Sequence, residues 1–327
     1  MNIVEYIGEI RTKLESLRQE TATACRNEVL FAFRGESRDY GKTKLMPSIF
    51  RDSSLVKKES HLLDLLCDYG ISNPNDTDIE KAMESQHYLA ISRMLDISFN
   101  LLVALYFACR SNKDYDGYVY IFAFPEYYSP HSKYIEDFYK NILKLGEGEE
   151  PRYYYKNFKV VSHAFSNERM IAQNGGFIFF PGEYFSAINS CYYKIVTIKK
   201  EDKQKVLDSM KLLFAIDEYK IFPEKEKIAE AVKNKFYRTE GFNGNMSIED
   251  DICSYLNHLF YEVEIMYKRG DSFVSLLRFL RKEKDDLISY IKSSKKINKE
   301  KRHKLIEYIE RNFEIIKMKV GNMYGIC

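Results

Sequence analysis

Five short runs dense in aromatic and β-branched residues all fall before residue 200, and beyond that point only helical periodicity remains. They are residues 28–34, YVYIFAF at 118–124, RYYYKNFKVV at 152–161, GFIFFPG at 176–182 and YYKIVTIKK at 192–200. Each has the composition and length of a strand. After Lys200 apolar residues recur at helical spacing near 202–215, 223–236, 247–267, 271–293 and 298–319. Strands gathered in the first two-thirds with helices at the end exclude regular β-α alternation. The expectation is an α+β chain with a helical C-terminal part.

Helices also enter the strand-rich part. Residues 2–24 carry an apolar stripe of Ile3, Val4, Ile7, Ile10, Leu14 and Leu17 with acids between, which predicts an amphipathic helix and no secretory signal. Helices are further expected over 52–70 and 79–93, and SFNLLVALYFAC is apolar nearly all round, so its helix should be buried. Asp96 followed by Ser98 is positioned to cap that buried helix. TEGFNGN at 239–245 has the composition of a linker, which divides the chain into an N-terminal helix (1–27), a central domain (28–238) and a helical region (239–327).

Charge and cysteine usage exclude several classes. Fifty basic against forty-eight acidic side chains give a net charge of +2, so no global field steers the chain toward nucleic acid. One local exception is Lys292 to Lys304, with seven Lys or Arg against one Glu; it reads as a solvated helix connection or as a phosphate-contacting patch. No apolar run approaches the roughly 20 residues that cross a bilayer, and the six scattered cysteines form neither a zinc pattern nor a disulfide framework. A reduced, cytoplasmic protein is expected, with no membrane partner. P-loop, G-x-S-x-G and H-E-x-x-H signatures are missing.

Chemistry concentrates in five pieces: Phe33-Arg34-Gly35; LMPSIFR at 45–51; QHYLAISRMLDISFNLLVALYFA at 86–108; ERMIAQNGGF at 168–177; and IDEYKIFPEKEKIAEAV at 216–232. An arginine beside a glycine at a strand end lets a guanidinium reach an anion while the backbone stays open. Gln86, His87, Arg93 and Asp96 are polar groups on an otherwise buried-looking segment, and such groups need partners. Gln86, His87, Arg93 and Asp96 would not all face one way on a continuous helix, so a shared pocket requires a break near 90–92.

In this order the pieces resemble the FRG domain, named for the tripeptide that stands here as Phe33, Arg34 and Gly35. The resemblance runs through Gln86, His87 and Tyr88, through Arg93 to Asp96, and through Ala104 to Ala108. Arg169, Gln173, Gly175 and Phe177 and then Ile221-Phe222-Pro223 continue it. Leu89 stands where glycine is usual, Ile91 for proline, Ser92 and Ser98 for threonine and Ile97 for tryptophan. The layout is also distantly similar to mono-ADP-ribosyltransferases, with Leu95 to Ser98 as a second core strand and 177–182 as an aliphatic-Pro-Gly strand. That resemblance implies a mixed, split β-sheet core with flanking helices and a cleft for NAD.

The same resemblance implies the roles. Arg34 and Gly35 would clamp the diphosphate and Ser98 would sit on the ribose side. His87 or Tyr88 would contact the nicotinamide or adenine, with Gln86, Arg93, Asp96 and Arg169 completing the binding set. The position of the acid holds Gly175 and Gly176, so the catalytic set is Arg34, Gln173, Glu168 and His87. Glutamine can hydrogen-bond a hydroxyl but cannot act as a base, and Glu168 or Glu183 supplies a carboxylate only if its loop folds back. The resemblance implies an enzyme that modifies a protein or nucleic-acid acceptor with NAD, as a bacterial toxin or phage-defence effector. A module that binds a nucleotide, nucleic acid or partner without turnover is the alternative.

Overall fold

Residues 1–22, 28–143, 154–162, 168–223, 247–293 and 297–326 are described by a computed structural model. The chain divides into two compact units, Met1–Lys235 and Phe236–Cys327. The expected linker at 239–245 and the expected helix at 223–236 lie, apart from Pro223, outside the described residues.

The first unit is built on one six-stranded sheet: β1 Leu30–Glu36, β2 Met94–Ser98, β3 Gly117–Phe124, β4 Lys159–Val161, β5 Gly175–Phe179 and β6 Tyr193–Ile198. The strand order is β4-β5-β2-β1-β3-β6. Every ladder between these strands is antiparallel, which corrects the expected mixed sheet. Pairing direction is set by how connections return along the sheet, which local composition does not encode. The one sheet is narrowly joined at its centre. β1 pairs with β3 over seven residues and β2 with β5 over five, whereas β1 meets β2 only at Phe33 and Ser98. Of the RYYYKNFKVV run, Lys159–Val161 is strand; Tyr154 to Phe158 is not, and 151–153 lie outside the described residues.

Helices accompany the sheet as α1 Ile3–Ala22, α2 Ser53–Val56, α3 Glu59–Asp68, α4 Asp78–Tyr88, α5 Leu101–Cys109, α6 Lys133–Leu143, α7 Glu168–Gln173, α8 Lys203–Phe214 and α9 Glu218–Ile221. Directly paired strand residues share a face, which places two separate apolar clusters on one side of the sheet. In the first, Phe33, Val119, Ile121 and Val196 meet Tyr6 and Ile10 of α1, Val103 and Ala104 of α5, and Val206 and Met210 of α8. In the second, Met94, Phe177 and Phe179 meet α3, α4 and α6. The N-terminal helix therefore belongs to the first unit's core. On the opposite side one cluster runs across both halves, from Val160 and Ile178 through Leu95, Ile97 and Ala32 to Tyr120, Phe122 and Phe124.

In the second unit, α10 Ile248–Lys268, α11 Phe273–Ser293 and α12 Lys299–Met323 share an apolar cluster. Ile252, Leu256, Leu259 and Val263 of α10 and Leu305, Ile309, Phe313, Ile316 and Val320 of α12 supply it at helical spacing. Asp250 serves as a cap, accepting from the Ser247 N–H at 3.0 Å, and Glu249 pairs with Lys301 at 2.8 Å. In the basic run, residues 294–296 lie outside the described residues; Lys304 pairs with Glu300 and Arg302 donates to the Ile297 carbonyl. No helix among the described residues is long and apolar enough to cross a membrane.

Candidate functional site

The site begins where the sheet comes apart. Beyond the Phe33–Ser98 pair β1 and β2 diverge, and the Arg34 side chain spans the gap: Nη1 donates to the Asp96 carbonyl at 2.6 Å and Nε approaches Glu36 Oε1 at 3.5 Å. Glu36 is buried and its Oε1 also accepts the Leu45 N–H at 3.1 Å. Two contacts thus fix the guanidinium while the side chain stays 23% exposed. No protein group takes Nη2 among the described residues.

Two hollows adjoin Arg34. The first, of about 160 Å³, lies between the diverging strands and is closed by Val103, Ala104 and Phe107 of α5 and by Arg169 and Gln173 of α7. The second, of about 280 Å³, is bounded by Arg34, Glu36, Ser37, Tyr40, Arg51, Arg110 and Ser111. Gly35 borders both, and its role is packing: a Cβ there would lie 1.9 Å from the Ala104 carbonyl oxygen. Its lack of a side chain lets α5 lie directly on β1, and α5 is the floor of the site.

The polar block around residue 90 orients β2. Thr77 and Glu80 cap the start of α4 reciprocally, and the helix ends at Tyr88, with Ala90 in the left-handed region at φ 53°. This is the break that brings Gln86 back to Asp96. Gln86 Nε2 donates to Asp96 Oδ2 at 2.8 Å, and its Oε1 accepts from the Ser92 hydroxyl at 2.8 Å. The Asp96 carboxylate is therefore used on α4, while its main-chain carbonyl faces Arg34. Asp96 and Ser98 both lie in β2, so the expected cap reading is corrected: the Asn100 side chain accepts from the Leu102 N–H and caps α5. Ser98 Oγ donates to the Gln173 carbonyl at 2.6 Å and accepts the Asn100 N–H at 3.0 Å, tying α7 to the strand end.

Arg34, Gly35, Asp96, Ser98, Arg169 and Gln173 thus line one hollow, with Gln86 behind it. Four other expected residues stand apart. Arg93 is buried and bonds Glu59 through Nε and Nη2; its Nη1 donates to the carbonyls of Phe180 at 2.9 Å and Gly182 at 3.1 Å. Tyr139 donates to the same Glu59 at 2.9 Å; burial, then that carboxylate, hold its phenol well above the ordinary range. Arg93 is a core residue. His87 stacks edge-on against Tyr88, accepts from Arg169 at its carbonyl, and borders neither hollow; Tyr88 is 60% exposed. Glu168 is exposed at the start of α7, outside both hollows.

At Gly176, one of the two glycines at the position that the resemblance gives to an acid, a Cβ would lie 2.7 Å from the Val161 carbonyl and 2.9 Å from the Phe99 ring. Gln173 is better placed. Its Nε2 donates to the Ile221 carbonyl at 3.2 Å, which leaves its side-chain oxygen as an acceptor beside the first hollow. The Ile221-Phe222-Pro223 element gains a reason as well. Arg110 lies 4.5 Å and Arg169 4.9 Å from the centre of the Phe222 ring.

The family model of the FRG domain matches residues 30–117. No curated protein and no solved structure matches the chain. The FRG match takes in Arg34, Arg51, the Gln86–Asp96 block and all of α5 to Arg110. Arg169 and Gln173, which close the first hollow, and Phe222, which Arg110 and Arg169 face, lie beyond it. Arg51 and Arg110 escaped the reading of the sequence as site residues. The usable signal was a charged residue ending each of two otherwise apolar elements, LMPSIFR and LLVALYFACR.

Proposed function

We propose that the Arg34 cleft binds a dinucleotide of the NAD class, and that the protein is an FRG-type enzyme transferring ADP-ribose to a protein or nucleic-acid acceptor. One observation carries this reading: Arg34, whose guanidinium is anchored by Asp96 and Glu36, lines both of the hollows that adjoin where β1 and β2 diverge. Arginine held in this way is preorganised for phosphate oxygens. Loss of nicotinamide passes through an oxocarbenium-like ribose, which gains from an acceptor at a ribose hydroxyl. The Gln173 side-chain oxygen is the group for that task; it orients the sugar but does not remove a proton.

The buried glycines at 175 and 176 favour the second reading, in which the cleft holds the nucleotide without turning it over. Labelled NAD incubated with the protein and a cell lysate separates the two. Label transfer or nicotinamide release, lost in Arg34→Ala, is the expected result for the enzyme. Calorimetric binding of NAD that weakens at least tenfold in Arg34→Ala without consumption indicates the binding module. Neither binding nor turnover, or equal behaviour of the variant, overturns both.

A further inference from the structure

The second hollow has an unusual charge balance. Arg34, Arg51 and Arg110 border it, and Glu36 is the only acid among its described lining residues. Glu36 is already shared between Arg34 and the Leu45 N–H, and no acidic side chain pairs with Arg51 or Arg110 among the described residues. Like charges gathered around one concavity repel one another unless an anion enters. Arg110 is also oriented: Phe107, Tyr106 and Phe222 surround its guanidinium at 5.7, 5.8 and 4.5 Å. Ser111 Oγ donates to Ser37 Oγ at 3.0 Å, which leaves the hydroxyls of Ser37 and Tyr40 as the donors that join the arginines around phosphoryl oxygens.

Size relates this hollow to its neighbour. Small-molecule sites begin at about 300 Å³, and each hollow lies below that. They share Arg34, Gly35 and Phe107, so a nucleotide-sized ligand has to run through both. Their characters differ. The first offers Phe33, Val103, Ala104 and Phe107 with the Gln173 oxygen, whereas the second offers guanidinium groups and hydroxyls.

We infer that the hollow bounded by Arg34, Arg51 and Arg110 is a diphosphate-binding site, and that the sugar and ring of the same ligand lie in the Gln173 hollow. The inference rests on the dinucleotide reading for the second half of that statement only.

Calorimetry on the full chain with inorganic pyrophosphate and, separately, ADP-ribose tests it. The expected result is that Arg51→Gln and Arg110→Gln each weaken pyrophosphate severalfold, and together at least tenfold, with unchanged melting temperature. Arg110→Lys, which keeps the charge but loses the planar fork, should recover only part of the affinity. ADP-ribose should follow the same order and bind more tightly than pyrophosphate. Pyrophosphate that fails to bind, or binds equally to wild type and the double variant, overturns the site even if ADP-ribose binds through Arg34. Pyrophosphate bound through Arg51 and Arg110 with no affinity for ADP-ribose keeps the diphosphate site and removes the dinucleotide reading.

Discussion

The two faces of the sheet in the first unit solve opposite problems. On one, Tyr120, Phe122 and Phe124 stack at 6.2 and 5.3 Å and join Leu95, Ile97, Val160 and Ile178 in a single cluster that ignores the divergence of β1 and β2. On the other the apolar residues form two clusters, each covered by its own helices, and the Arg34 hollow lies between diverging strands. A sheet held by side chains on one face can part on the other, because packing carries the cohesion that missing ladder bonds would have supplied. The first hollow borders the divided face through α5, whereas Arg34 itself starts from the continuous face, opposite Tyr120 in the register.

The largest effect that would break this comparison comes from the continuous face. Phe122 is fully buried, and Phe122→Ala should cost about 4 kcal/mol in urea unfolding. Amide exchange should then rise in β3 and β5 together; a rise confined to β3 would mean that the two halves are not tied through this cluster. On the divided face, Gly35→Ala pushes a methyl group into the α5 backbone, and about 3 kcal/mol of stability should go. A loss below about 1 kcal/mol would show that α5 is free to move away from β1. The smallest effect concerns the helix that orients Asp96. The Thr77 N–H, the main cause, holds the Glu80 carboxyl below its ordinary value of 4.5. This group is more acidic in the folded state, so its stabilisation is present above pH 4.5 and is lost as pH falls through the lowered value. Glu80→Gln should cost under about 1 kcal/mol at neutral pH and flatten the acid limb of the stability curve. An unchanged acid limb would detach the α4 cap from stability.

Much of this was legible in the sequence because it is local. Strand composition located the ladders of β1, β3, β5 and β6. The all-round apolar helix proved to be α5, buried at Val103 to Tyr106, Ala108 and Cys109, and Arg34 with Gly35 marked the cleft. What depended on distant partners was hidden. Arg93 looked like a ligand-binding arginine because Glu59, its counter-ion, stands 34 residues earlier at the start of α3. Ser98 looked free because its acceptor is the carbonyl of Gln173. The arginines of the second hollow come from the end of a 3₁₀ turn at Ser48–Arg51 and from the residue after α5, and only the folded chain brings them beside Arg34.

The lone rung between β1 and β2 has a mechanical consequence. A backbone hydrogen bond is worth about 1 kcal/mol net, so what holds β1 against β2 at the cleft is chiefly the continuous apolar cluster, with that rung and the Arg34–Asp96 tether in support.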